Sequence, residues 1–286
     1  MPDLDPYFFQ NNRWSFTRHR VWNRCPRQYY FEYIAPYVRS DPVVDPGKIR
    51  WLKNFTSKFV VQGQVVHDII DQQIQAHCEE RPMSLDEALS TFSRKVAAYR
   101  TVEGITFTEC HNGQAIPDSF YTDMEANGQT CLFTFFGKWP EYAKRQCLRH
   151  EKFDTFMVGD TGVTVKVDFI GKMPDGTLLL TDWKTGKDDD GNESGLQMAA
   201  YVLWAKEYYN LPADEIGTEL VFLKTGKTKP YNFFDEQLVE LKEMIVPEFA
   251  AMNASYEFED FPAKSSQREC LSCKFAEVCD RTESPG

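Results

Sequence analysis

The chain has 286 residues, 42% hydrophobic and 26% charged, with a formal net charge of −11. That size and apolar share fill one large core or two small ones, and no apolar run approaches the ~20 residues of a membrane span. The acidic balance counts against nucleic-acid binding through overall charge and leaves only local basic clusters for that role.

From the N-terminus, Ser15 and Thr17 are sound helix caps, and a helix is predicted over 15–37. This region carries Arg13, Arg18, Arg20, Arg24 and Arg27 among Trp14, Phe16, Trp22, Tyr29 and Tyr30. Such a mixture suits stacking and phosphate pairing along a single strand; it equally suits an amphipathic helix with its aromatics turned inward. The chain opens Met-Pro-Asp-Leu-Asp-Pro, without a basic, apolar signal segment, so a reducing, cytoplasmic setting is expected. Residues 41–48 read as a Pro-rich loop and 50–78 as a helix bent near Gly63. Ser84-Leu-Asp-Glu87 has the form of a capping box, opening a helix to about Arg100. An irregular stretch follows to 118, then a long helix over 119–147. A second basic cluster, Lys144, Arg145, Arg149 and Lys152, precedes the strands.

Strands are predicted at 152–158, 163–171 and 177–184. Val163, Val165, Val167 and Phe169 alternate with Thr164, Lys166, Asp168 and Ile170, the period of a half-buried strand. Pro174-Asp175-Gly176 has the chemistry of a three-residue hairpin loop. Met173 then pairs with Thr177, and counting outward sets Asp168 opposite Asp182. Opposed carboxylates repel across a ladder, and a divalent cation such as Mg²⁺ or Mn²⁺ would offset the repulsion. Lys184 shares the parity of Asp182, where its ammonium can orient water or hold a phosphate oxygen. An ordinary surface salt bridge is the competing reading of these residues. The acidic Lys187–Ser194 stretch reads as a connector. A helix over 194–209, strands at 218–224 and 229–234, and a helix over 235–253 complete the pattern. Gln197 and Tyr201, four apart, share a helix face.

Of the eight cysteines, Cys270, Cys273 and Cys279 form a C-x₂-C-x₅-C tail, with Cys25 far upstream. Four thiolates suit either a [4Fe–4S] cluster or tetrahedral Zn²⁺. Cys78, Cys110, Cys131 and Cys147 follow no such spacing and read as small hydrophobes.

The strand Asp, the turn and Asp182-Trp-Lys184 resemble the PD-(D/E)XK nuclease superfamily. Gly63-Gln-Val-Val-His67, Gln197-Met-Ala-Ala-Tyr201 and Ser15-Phe-Thr…Cys25-Pro-Arg-Gln-Tyr-Tyr-Phe31 are similar to motifs of its RecB-like branch. The cysteines resemble the iron–sulfur staple of AddB-type and CRISPR spacer-acquisition nucleases. The resemblance implies an α/β fold, a mixed central sheet flanked by helices. It implies one nuclease domain over 1–286, with a helical insertion lobe at 72–150 and a cysteine segment at 265–281. It further implies His67, Asp168, Asp182 and the Trp183 carbonyl as metal ligands, with Lys184, Gln197 and Tyr201 in the catalytic set. Glu151 is a further candidate for the acidic cluster. Lys166 departs from the pattern, standing where the branch often has Gly. The implied activity is a metal-dependent deoxyribonuclease, exonucleolytic on single-stranded DNA. Its setting would be DNA repair, recombination or CRISPR- or phage-related processing, beside a helicase or integrase partner. The alternative is a catalytically silent DNA-binding or assembly subunit.

Overall fold

A computed structural model describes residues 3–40, 43–101, 107–114, 117, 119–186, 192–264 and 266–279. The N-terminal part is helical: α1 (Pro6–Asn11), α2 (Phe16–Arg24), α3 (Pro26–Tyr33) and α4 (Pro46–Leu52). The helix predicted over 15–37 is broken at Cys25, whose φ of −159° is extended. Pro26 explains the break, because it disfavours helical backbone at the residue before it. Ser15 is the true cap, its side chain accepting from the Arg18 N–H.

α5 (Lys58–Cys78) runs uninterrupted through Gly63. The predicted bend lies instead between α4 and α5, where Ser57 caps the new helix. α6 (Leu85–Thr101) starts at the predicted capping box, with Ser84 and Glu87 bonded reciprocally. After the short α7 (Thr108–His111), α8 (Phe120–Tyr142) ends five residues before its predicted limit. The chain turns there directly into a long strand.

A five-stranded sheet has the order β1 (Gln146–Val158), β2 (Thr161–Lys172), β3 (Leu178–Lys184), β4 (Ile216–Phe222) and β5 (Thr228–Tyr231). All pairs are antiparallel except β3 with β4. The crossover between those parallel strands is α9 (Asn192–Tyr209). The chain ends in α10 (Asp235–Met252) and α11 (Gln267–Leu271), the second carrying Cys270. The predicted acidic connector at 187–194 lies mostly outside the described residues. No helix among the described residues is long and apolar enough to cross a membrane.

Apolar residues of the central strands face two cores. Val163, Val165, Val167, Ile170, Leu180 and Leu220 pack with α9, α10 and the N-terminal helices. Phe169, Trp183 and Val221 pack on the opposite side with α5, α6 and α8. The predicted fold class, a mixed sheet flanked by helices, is the one observed. The predicted alternation of β2 slips once, however, because Phe169 joins the second core while Val167 and Ile170 stay in the first. Opposite this slip the β1–β2 register places Glu151, whose φ of +47° is rare for a residue with a Cβ.

Candidate active site

The hairpin turn forms as its residues dictate. Met173 N–H donates to Thr177 O at 2.8 Å and Gly176 N–H to Met173 O at 2.9 Å. Gly176 takes φ +97°, and Asp175 Oδ1 accepts from the Thr177 N–H at 2.9 Å. The ladder runs from Lys172↔Leu178 to Phe169↔Thr181 and then stops. The next pair in that register is Asp168 and Asp182, and there the two strands splay. Farther along, β2 bonds the Trp14 segment instead: Trp14 N–H donates to Gly162 O and Thr164 N–H to Trp14 O, each at 2.8 Å.

The splay opens a cleft of about 680 Å³ into which helices from both faces of the sheet reach. From α5 comes His67, its Nδ1 3.2 Å from Glu151 Oε1 and 3.5 Å from Asp168 Oδ2. One ligand atom from each of His67, Glu151 and Asp168 lies within 4.8 Å of the others, a trio able to hold a metal ion. Gly63 makes this approach possible, since a Cβ there would stand 2.9 Å from Thr185 Oγ1. The glycine of the Gly-x-x-x-His segment thus lets α5 close on the turn after Lys184; it does not bend the helix.

From α9 come Gln197 and Tyr201, which hold Asp182. Gln197 Nε2 donates to Asp182 Oδ1 at 3.2 Å and to the Tyr201 hydroxyl at 2.8 Å. The Tyr201 hydroxyl donates to Lys166 O at 2.6 Å, satisfying a β2 carbonyl that the splay would orphan. It also lies 3.1 Å from Asp182 Oδ1. Lys184 Nζ is 2.6 Å from Asp182 Oδ2 and donates to Gln197 Oε1 at 2.8 Å. Asp182 is therefore engaged by Lys184, Gln197 and Tyr201, and it is Glu151 that completes the compact trio. Trp183 borders the cleft, but its buried indole packs against Tyr142 and Phe135 in the second core. The Trp183 backbone N–H donates to Asp168 Oδ2 at 2.8 Å.

Tyr201→Phe leaves the Lys166 carbonyl and a Gln197 N–H without this partner. We expect it to cost about 1–3 kcal/mol of stability, measured by urea unfolding; an unchanged midpoint would contradict the hydrogen-bond assignment.

The electrostatics follow from crowding. Burial raises the Asp168 pKa; His67 opposes the rise, Asp182 and Glu151 add to it, and the carboxyl sits at about 7. Burial alone would lower His67, but Asp168, Glu151 and Asp182 outweigh it and hold the imidazole at about 9. For Glu151, burial raises the pKa, yet hydrogen bonds from His67 and Lys166 leave it below the usual range. Lys166 and Glu151 form a close ion pair at the cleft rim.

The four predicted cysteines also converge. Cys25, Cys270, Cys273 and Cys279 border one small cavity of about 60 Å³. Burial, against a backbone hydrogen bond at Phe275, pushes the Cys273 thiol up to about 11, and the other three thiols add to the shift. Nearby side chains hold the tail to the N-terminal helices: Arg27 Nε donates to Phe261 O at 2.5 Å, and Lys274 pairs with Glu32 at 3.0 Å.

The family model that matches the sequence is that of the PD-(D/E)XK nuclease superfamily, over residues 13–280. The chain belongs to the PD-(D/E)XK nuclease superfamily. No curated protein matches it. Membership carries with it nuclease chemistry on nucleic acid with divalent metals, and the carboxylate–histidine trio lies in the region the superfamily match covers. Residue spacing in this PD-(D/E)XK chain pointed to the hairpin pair, whereas Glu151 could be found only as an acidic residue opening the preceding strand.

Proposed function

We propose that this chain is a Mg²⁺- or Mn²⁺-dependent deoxyribonuclease acting exonucleolytically on single-stranded DNA. The observation that carries this reading is the trio of His67, Glu151 and Asp168, two of whose members, His67 and Asp168, line a cleft with Asp182 and Lys184. The donor set fits a hard divalent cation, with two carboxylates and one imidazole. Asp182 is the next acidic group to join it. When bound, such a cation supplies Lewis acidity, polarising a phosphoryl oxygen and acidifying water. The chain's own groups do the rest. Lys184 donates to Gln197 Oε1 and stands in an ion pair with Asp182. From there its ammonium can orient the attacking water or neutralise charge building on the phosphate. Gln197 and Tyr201 are positioning residues, since they hold Asp182 in place.

For the four cysteines we propose a [4Fe–4S] cluster. Convergence of all four thiols on one cavity fits it. When bound, it supplies a structural crosslink between the N-terminal helices and the tail. Anaerobically purified protein should carry iron and absorb in the violet, and Cys25→Ser should lose both; a zinc-loaded, colourless protein would overturn this assignment. The pathway we favour is end processing in DNA repair, recombination or CRISPR-related acquisition, beside a helicase or integrase. The activity test is degradation of end-labelled single- and double-stranded DNA in Mn²⁺, Mg²⁺ or chelator. Shortening from one end of the single strand, abolished by chelator, is expected. Intact substrate in every metal would refute the nuclease reading.

A further inference from the structure

Among the described residues Phe153 is the most exposed of the large hydrophobic side chains, at 73%. It does not sit on a remote surface. In the β1–β2 register Phe153 is directly opposite Lys166, and two positions farther along Glu151 and Asp168 fall between the pairs Lys152↔Val167 and His150↔Phe169. Two residues along a strand span about 7 Å, so the exposed ring stands next to the carboxylate–histidine trio. Phe153 and Lys166 both line the central cleft. The Lys166 ammonium lies 5.4 Å from the Phe153 ring centroid. Arg13 and Arg18 line the same cleft, so in an acidic protein its walls concentrate positive charge. A large apolar ring facing water costs solvation and invites a flat apolar partner.

We propose that Phe153 and Lys166 form a nucleotide subsite beside the scissile phosphate, in which the Phe153 ring stacks on an unpaired base and Lys166 takes that nucleotide's phosphate. This rests on the nuclease reading and deepens it. Lys166 pairs with Glu151 in this structure. With Glu151 committed to a divalent cation, the Lys166 ammonium would be free to meet the strand. Aromatic stacking tolerates any base, because each offers a π face. It requires that the base be out of a duplex, which gives a physical source for a single-strand preference. The subsite predicts sequence-tolerant cleavage that needs a base, and not only a sugar–phosphate backbone, next to the cut.

The test uses the full chain and a single-stranded oligonucleotide, with and without one abasic position beside the cut. Phe153→Ala should raise KM on the intact strand about 5- to 150-fold, and Phe153→Trp should recover most of that loss. The abasic strand should impose a similar penalty on the wild type and little further penalty on Phe153→Ala. Lys166→Met should lower the slope of log affinity against log salt by about 0.7, the share of one phosphate contact on a single strand. Equal KM for Phe153→Ala and wild type, or for intact and abasic strands, would overturn the subsite while leaving the nuclease reading standing. A separate readout covers a protein that cuts nothing: binding in Ca²⁺ of the same strand carrying 2-aminopurine at that position. Fluorescence quenching lost in Phe153→Ala would support the stacking site even then, and unquenched binding by the wild type would overturn it.

Discussion

Asp168→Asn should abolish metal-dependent cleavage, by on the order of 10³-fold or more, given the several kcal/mol that a metal supplies to a phosphoryl transition state. Asp168 is the node of the site. It accepts from the Trp183 backbone N–H, contacts His67 and stands one position beyond the last β2–β3 pair, Phe169↔Thr181. Asparagine keeps the shape and an acceptor for Trp183, but it removes the charge that a cation requires. The fold should not suffer. With its pKa raised from 3.8 to about 7, the carboxyl favours folding fully below pH 3.8, and that contribution is lost as pH rises through 7. At pH 8 the ionised form therefore burdens the metal-free fold, and Asn relieves it. Thermal unfolding in chelator at pH 8 should show the variant at least as stable as the wild type. Cleavage at wild-type rate in Mn²⁺ would refute the assignment of this residue.

Metal affinity should rise steeply with pH. Without a metal, His67 holds its proton to about pH 9 and Asp168 to about pH 7. A cation must displace both, because its ligands are neutral imidazole and ionised carboxylate. Between pH 7 and 9 one proton leaves per ion, from His67, so affinity gains about tenfold per pH unit. Below pH 7 the Asp168 proton leaves as well, and the slope steepens toward about a hundredfold per unit. The same shifts set metal-free stability. His67 is raised above its unfolded value of 6.5, so its contribution is complete below pH 6.5 and is lost through pH 9. Alkaline pH thus weakens the empty site's hold on the fold while strengthening the metal's. Calorimetric Mn²⁺ titrations at several pH values, in buffers of different ionisation enthalpy, give both affinity and protons released. Affinity independent of pH would show that His67 is not displaced.

The β2–β3 register, observed up to Phe169↔Thr181 and so one pair short of Asp168 and Asp182, was readable because a hairpin is local. Pro174-Asp175-Gly176 sets the loop, the loop sets Met173 against Thr177, and counting does the rest. Ser15 and Ser84 were equally plain as caps, since a cap needs only its own next three residues. The glycine before His67 was visible as a motif but not as a mechanism, because Thr185, its close neighbour, is far along the chain. Glu151 was harder still. Its place beside Asp168 depends on a long β1–β2 pairing and on a positive φ that composition does not announce.

The amino-acid sequence by itself determined the elements, the turn chemistry and the cast of charged and sulfur-bearing residues. Periodicity, capping and loop preference act within a few residues of one another, so they can be read along a line. Only the tertiary structure decided which acids meet. The strands part at Asp168, α5 and α9 bring His67, Gln197 and Tyr201 to the gap from opposite faces, and Phe169 and Trp183 pack into the second core beside it. Those are contacts between residues tens to more than a hundred positions apart, which no local preference fixes.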